Sequence, residues 1–588
     1  MKKQNSFIRI WHYLKHYKGS IWLSLFFTIF AAVMNVLEPY VLGIIMTEVA
    51  NNVLAISQGV SDAGINYAFI AKWLIIYFFR GFLWQVTAYG SNHYITNGVQ
   101  AAIQDLRSDL SAKLNRLPVS YVDGQSFGDL LGRLTSDVES VSNALQQSIL
   151  QMINAILSII LVIVMMMILN PMLGLIVIVS LPISYWVAQT IVKKSQPYFK
   201  DQARILGQLN GYVQENLSGF NVIKLYGREE HAREDFQAIT QELSQVGFKA
   251  GFISSLMMPL VSVVSHITYL LLAYFGSKLV MAGALTIGNL QAFVQYVWQV
   301  NQPIQTITQL SGPLQGAKAA LDRIFELLDA EEAYDTSDDL ALDQTLTGQV
   351  SFENVSFAYK ADRPLIKNFN VEVQPGQMVA IVGPTGAGKT TMINLLMRFY
   401  DVTSGAIKVD GIDIRDLPRR GYRQQFGMVL QDAWLYEATI RENLRFGNLD
   451  ASDDQIVAAA KAANVDHFIR TLPGGYDMVM NQESSNISLG QKQLLTIARA
   501  LLSDPKILIL DEATSSVDTR LEHLIQKAMK RLMQGRTSFV IAHRLSTIQE
   551  ADKILVMKEG QIIEQGTHDS LLADKGFYYD LYQSQFAE

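Results

Sequence analysis

The chain has 588 residues, too many for a single core. Its residues are 49% apolar and only 17% charged, against roughly 25% charged in an ordinary soluble protein. A net charge of −6 argues against nucleic acid as the main partner, and the absence of cysteine excludes disulfides, zinc sites and cysteine nucleophiles. The shortage of charge is confined to the region before about residue 350, which points to a membrane domain there.

The lead segment, MKKQNSFIRIWHYLKHYKG, is basic and amphipathic, and lacks the short apolar core and small-residue site of a cleavable signal. Six apolar stretches follow, at 21–46, 67–92, 145–169, 171–192, 252–276 and 285–308, each long enough to cross about 30 Å of hydrocarbon. The last two contain Gln and Ser, as expected of helices lining a cavity. Lys and Arg set the orientation. The loop Thr47–Ile65 has neither, the 3–4 turn is Asn170-Pro171, and Lys278 stands alone between the fifth and sixth stretches. Residues 193–250 hold eight Lys or Arg, and Lys2, Lys3, Arg9, Lys15 and Lys18 precede the first stretch, so both termini are predicted to be cytosolic.

The two basic connections, about 96–140 and 193–250, keep helical apolar spacing, which extends the membrane helices well beyond the bilayer. Glycines around 122–128 and 217–220 interrupt them and predict short transverse segments at the cytosolic tips. Residues 329–349 carry seven carboxylates and no Lys or Arg, the composition of a solvated linker. Beyond it, β-rich runs alternate with helical segments, the pattern of an α/β domain on a largely parallel sheet. The expected organisation is a transmembrane domain over 1–325, an acidic linker over 326–349 and a nucleotide-binding domain over 350–588.

Gly383-Pro384-Thr385-Gly386-Ala387-Gly388-Lys389-Thr390 follows the strand MVAIV and opens the helix beginning Thr390-Thr391. Strand, Gly-rich loop and helix form the context in which backbone N–H groups and a helix N-terminus cradle phosphates. Lys389 then serves the β and γ oxygens, and Thr390 serves Mg²⁺. The apolar run Ile507–Leu510 ends in Asp511 and Glu512. One carboxylate suffices for the Mg²⁺ shell, assigned to Asp511, and Glu512 is placed to polarise the attacking water.

With these motifs in order, the chain resembles the ATP-binding-cassette (ABC) superfamily, specifically exporter half-transporters with six membrane helices fused to one cassette. The resemblance implies further roles. Tyr359 in VSFAY stacks on adenine, and Gln431 in VLQDAWLY touches Mg²⁺ and the membrane domain. Ser488, Gly490 and Gln491 in ISLGQ form the signature that serves the partner's nucleotide. Asp518 lies in the D-loop, and His543 contacts the γ-phosphate. ATP and Mg²⁺ are the implied cofactors, and a second half-transporter is the implied partner. The tips near Gly124 and Gly219 are implied to be coupling segments resting on the cassettes. The signature departs from the family's LSGGQ at Ile487 and Leu489, and Leu489 adds bulk where backbone must approach a phosphate. An altered signature beside a complete P-loop suggests a heterodimer more than a homodimer.

Glu38 and Arg80 lie within the first two stretches and are expected to pair, since intramembrane charges face protein or water. His266 reads as a hydrogen-bonded wall residue. Met165–Met167 with Phe78, Phe79, Trp84 and Trp298 suit either an adaptable cavity or lipid contact. The expected activity is ATP-driven export of hydrophobic or amphipathic molecules, drug-like or lipid, across a bacterial plasma membrane, with lipid as the surrounding partner and no nucleic acid. An ATP-gated channel or regulator and a peptide exporter are the alternatives.

Overall fold

The computed structural model describes residues 6–60, 64–333, 346–360, 362–430, 433–481, 487–511, 519–542 and 544–585. They form two compact units, Met1–Asn115 with Phe127–Ala330, and Arg116–Ser126 with Glu331–Glu588.

The first unit is helical. Its elements are α1 (Ser6–His16), α2 (Lys18–Ser57) and α3 (Tyr67–Arg116), followed, after the tip helix α4 (Val119–Asp123), by α5 (Phe127–Leu134), α6 (Ser136–Asn143) and α7 (Ile149–Leu169). Then come α8 (Pro171–Ser218), α9 (Phe220–Leu225), α10 (Glu229–Ser255), α11 (Met257–Met281), α12 (Ile287–Gln309) and α13 (Ser311–Asp329). The boundary at Asn170-Pro171 is local chemistry. The Asn170 side chain accepts from Leu173 N–H at 3.2 Å, while proline takes the first turn, where no N–H is needed.

Among the described residues, five helical runs are long and apolar enough to cross a membrane: Lys18–Ser57, Tyr67–Arg116, Phe127–Leu169, Pro171–Ser218 and Glu229–Met281. The chain is thus a multi-pass membrane protein. The sixth expected stretch is the helix α12, but it is not among them, because eight Asn and Gln side chains dilute its apolar residues. It is nonetheless well packed. Ala292, Phe293, Tyr296, Val297 and Val300 are buried with Val162 and Met166 of α7 and Leu173 and Val177 of α8. Its start lies against α2, where a Cβ on Gly288 would stand 1.7 Å from Gly43 O, so only glycine allows the backbones this close. The Gly288 N–H donates to Thr47 Oγ1 at 3.1 Å and Tyr296 Oη donates to Val36 O at 2.9 Å, which lock the same seam. Of the proposed cavity residues, Met166 is core, Phe78 and Phe79 are more than half exposed on the unit's surface, and Trp298, though half-exposed, lines a cavity between α11 and α12.

The first two spans are joined through charge, as expected. Arg80 is buried, donates to Glu38 Oε2 at 3.0 Å and to Met34 O at 2.8 Å, and lies over the Tyr77 ring at 5.1 Å. Tyr77 Oη donates to the other Glu38 oxygen at 2.9 Å. Removing either charge strands the other in low dielectric. Glu38→Ala and Arg80→Ala are each expected to destabilise, with the double variant losing less than their sum. The effect lies toward the lower end of about 3–5 kcal/mol, since Glu38 keeps a third of its side-chain exposure. Simple additivity in a double-mutant cycle on thermal unfolding in detergent would contradict the pairing.

The second unit holds two sheets. A four-stranded antiparallel sheet runs β2 (Ile366–Val373), β1 (Val350–Phe357), β4 (Ser404–Val409), β5 (Ile412–Asp413). A six-stranded sheet runs β10 (Gln561–Gly566), β9 (Lys553–Lys558), β3 (Met378–Val382), β8 (Thr537–Ile541), β7 (Ile507–Asp511), β6 (Phe426–Val429), parallel except for β10. The largely parallel sheet was expected. The separate antiparallel sheet was not resolved from it, because both kinds of strand read as short β-rich runs. Buried on both faces, β7 is apolar up to its terminal Asp511, as a parallel interior strand is expected to be, while β8 buries Thr537 and Ser538 before its apolar run Phe539–Ile541.

Candidate nucleotide-binding site

Strand order places the chemistry. β8 lies between β3 and β7, with Ile381 opposite Ile541 and Ile541 opposite Asp511. The loop after β3, the carboxylate ending β7 and the residue after β8 therefore meet at one C-terminal sheet edge, where α/β folds bind ligands.

The Gly383–Gly388 loop leads from β3 into the helix Lys389–Leu396. Gly383 has φ +151°, and a Cβ there would meet Met557 O at 2.2 Å, so the loop's first turn admits no side chain. Gly386 and Gly388 also have positive φ, and Gly388 caps the helix. Lys389 folds back across the loop, its Nζ donating to Gly383 O at 2.6 Å and to Pro384 O at 3.1 Å. Burial holds the Lys389 ammonium below the ordinary lysine value, while the charge of Asp511 opposes that shift. A half-buried cation lying across a glycine-rich loop that opens a helix suits a polyphosphate. Thr390 is the second residue of the same helix, and Asp511 ends β7, two strands from β3; a hydroxyl and a carboxylate are oxygen donors of the kind Mg²⁺ takes. Pro384, Thr385 and Ala387 belong to the loop itself. Thr391 is buried one residue further on.

Tyr359 shares a hydrogen bond with Thr391 Oγ1 at 3.2 Å. Its ring meets the edges of Phe357 and Tyr400 at centroid distances of 4.9 and 5.0 Å, which fixes its plane while leaving it 48% exposed. That is a suitable platform for a flat base.

The signature residues carry a local duty that the motif reading missed. Ser488 N–H donates to Gln491 Oε1 at 2.8 Å and Ser488 Oγ accepts from Gln491 N–H, a capping box on the helix Leu489–Ser503. The spacing Ser-Leu-Gly-Gln already contained that signal. Gly490 is buried, Ile487 anchors the segment in the core, and Leu489 is 41% exposed. Gln431, Glu512, Asp518 and His543 lie outside the described residues.

Two further contacts have no signature in the sequence. Arg499, on the signature helix, donates to Asn443 O at 2.9 Å and Trp434 O at 3.2 Å, tying that helix to the segment after Gln431. Tyr400 touches both Phe357 and Tyr359, and its hydroxyl donates to Asp123 Oδ2 of α4 at 2.6 Å. Burial and that carboxylate raise the Tyr400 pKa, so the hydroxyl remains a donor throughout the working pH range. The tip helix, which groups with the second unit, is thereby linked to the Tyr359 ring through one side chain. Tyr400→Phe keeps the ring contacts and removes this bond. It is expected to leave basal ATPase near wild type and to lower substrate-stimulated ATPase by about fivefold, the value of roughly one hydrogen bond. An unchanged ratio of stimulated to basal rate would refute a coupling role.

A P-loop ATPase continuous with a multi-pass helical domain defines an ATP-hydrolysing membrane transporter. Comparison with known families agrees: residues 21–304 match the ABC transporter transmembrane region and residues 366–515 match the ABC transporter ATPase domain. The chain belongs to the ABC transporter family, as a half-transporter of the exporter type. It is 45% identical over 484 residues to the fatty acid ABC transporter ATP-binding/permease protein of Mycobacterium tuberculosis, covering 82% of this chain and 76% of that one. It is 39% identical over 578 residues to an uncharacterized ABC transporter ATP-binding protein of Bacillus subtilis, covering 98% and 94%. It is 36% identical over 518 residues to the ATP-dependent lipid A-core flippase of Acinetobacter baylyi, covering 88% and 89%.

Proposed function

We propose that this protein exports lipid-like amphiphiles across the plasma membrane, with both termini cytosolic, as one half of a heterodimer. The amphiphile assignment draws on two relatives named for fatty acid and lipid A-core transport, and drug-like molecules of similar character fall in the same class. In this reading the organisation is 1–325 membrane domain, 326–349 linker and 350–588 cassette. Lys389 and the loop from Gly383 to Thr391 bind ATP, and Thr390, Asp511 and Gln431 hold Mg²⁺. Glu512 acts as general base, His543 contacts the γ-phosphate, and Tyr359 holds the adenine. Ser488, Gly490, Gln491 and Asp518 face the nucleotide of the partner.

One observation carries the heterodimer: the loop for this chain's own nucleotide is complete, whereas the signature offered to the partner bears the half-exposed Leu489. If the partner's site is the impaired one, Leu489→Gly relieves bulk without supplying a missing base. Turnover of the complex should then change by less than about fivefold, roughly 1 kcal/mol on the barrier. The companion test expresses this chain alone and with a candidate partner, and follows ATP-dependent appearance of a labelled lipid in the opposite leaflet of proteoliposomes. Robust substrate-stimulated hydrolysis by the single chain would overturn the heterodimer and leave export standing. Absence of lipid movement in every combination would overturn lipid export.

A further inference from the structure

The amide-rich character of α12 has a local focus. Between α11 and α12 lies a cavity of about 300 Å³ whose polar wall includes Ser262, Ser265, Asn301 and Gln302, and whose apolar wall includes Met258 and Trp298. Asn301 is 2% exposed. Its Nδ2 donates to Ser265 Oγ at 2.9 Å and to Val297 O at 3.0 Å, while its Oδ1 has no hydrogen-bond partner among the described residues. Exchanging the amide's oxygen and nitrogen does not remove the problem, because the other end of the group then faces Val297 O with no proton to offer. Gln291 and Gln299 of the same helix also bury an amide oxygen with no partner among the described residues, but of the three only Asn301 lines the cavity, where a bound group could meet it.

We propose that this cavity receives the uncharged, hydroxyl-bearing head group of an amphiphile. The inference rests on the amphiphile-export reading and specifies its substrate. A hydroxyl both donates and accepts, so it satisfies the free Asn301 oxygen and an amide N–H of Gln302 together. None of the cavity's lining residues is Lys, Arg, His, Asp or Glu, and α12 carries no charge along its length. A carboxylate placed here loses its hydration and gains no counter-ion, which disfavours the anion of a fatty acid relative to a neutral ester of the same chain. Trp298 and Met258 offer the beginning of the acyl chain an apolar, adaptable surface.

The test uses the purified full transporter, with its partner where one is needed, and two probes. These are a monoacylglycerol with a dibrominated stearoyl chain and the corresponding dibrominated stearate in its ionised form. Quenching assigned to Trp298 is the difference between wild type and Trp298→Phe. The monoacylglycerol is expected to bind with a Kd at least about tenfold lower than that of stearate. Asn301→Leu is expected to weaken its binding by about tenfold or more in the same quenching measurement. Gln302→Leu, at an exposed position, reports the same effect should Asn301→Leu fail to fold. Equal affinity for both probes, or monoacylglycerol binding unchanged in both folded variants, overturns the head-group site and leaves lipid export intact. Failure of any lipid to move with ATP in proteoliposomes overturns the export reading, and this inference with it.

Discussion

Glu512→Gln is expected to lower ATP turnover by at least about 100-fold while leaving nucleotide binding intact, because the attacking water loses its general base. The expectation rests on position. Asp511 closes β7 in register with Ile541 of β8, and β8 lies beside β3, from which the phosphate loop departs. Asp511, the residue before Glu512 in the sequence, thus ends its strand at the same sheet edge from which the Gly383–Gly388 loop departs. Gln keeps the size and hydrogen-bonding reach of Glu but cannot take a proton near neutral pH, so binding and fold are preserved. Steady-state ATPase and equilibrium ATP binding on the same purified complex separate the two effects. Near-wild-type turnover would remove Glu512 from the chemistry. Loss of binding together with turnover would show damage to the site rather than loss of a base.

Lys389→Ala is expected to weaken ATP binding at this chain's own site by roughly 10- to 100-fold, the equivalent of a charge-assisted contact of about 1.5–3 kcal/mol. The side chain has two functions in the structure. Its Nζ ties Gly383 O and Pro384 O together, and its charge lies across the glycine-rich loop within the electrostatic reach of Asp511. Alanine removes both. Arg restores the charge but not the compact ammonium, since its planar fork cannot sit between two carbonyls of one tight loop. Lys389→Arg should therefore recover little of the affinity. Photo-crosslinking of labelled ATP to this chain at sub-saturating concentration measures the effect site by site. Unchanged labelling in Lys389→Ala would remove Lys389 from the nucleotide site.

Much of this protein was legible along the chain because its chemistry is local. A phosphate cradle needs consecutive backbone N–H groups, so glycine, lysine and threonine must be neighbours in sequence. A strand buried on both faces must be apolar for its whole length, which made Ile507–Leu510 and its terminal carboxylate readable. The Glu38–Arg80 pair could be anticipated because two charges in hydrocarbon have few ways of avoiding each other. The apolar stretches located the membrane domain, and the weakness of the last one was itself information: its amides are what keep α12 from reading as a simple span.

Other features were decided only in three dimensions. Tyr400 and Asp123 are separated by 277 positions and share one hydrogen bond, and nothing near either residue specifies the other. Arg499 finds Asn443 and Trp434 because the helix after the signature packs on the segment beyond Gln431, a matter of tertiary placement. The amide of Asn301 looks like any polar residue in a mixed helix until packing buries it against Ser265 and leaves one end unmet. Sequence by itself determined which chemical groups stand together within a few residues, since covalent connectivity and strand or helix periodicity hold them there. Tertiary structure alone decided which distant groups meet, since desolvation assigns partners according to what the fold brings within hydrogen-bond reach.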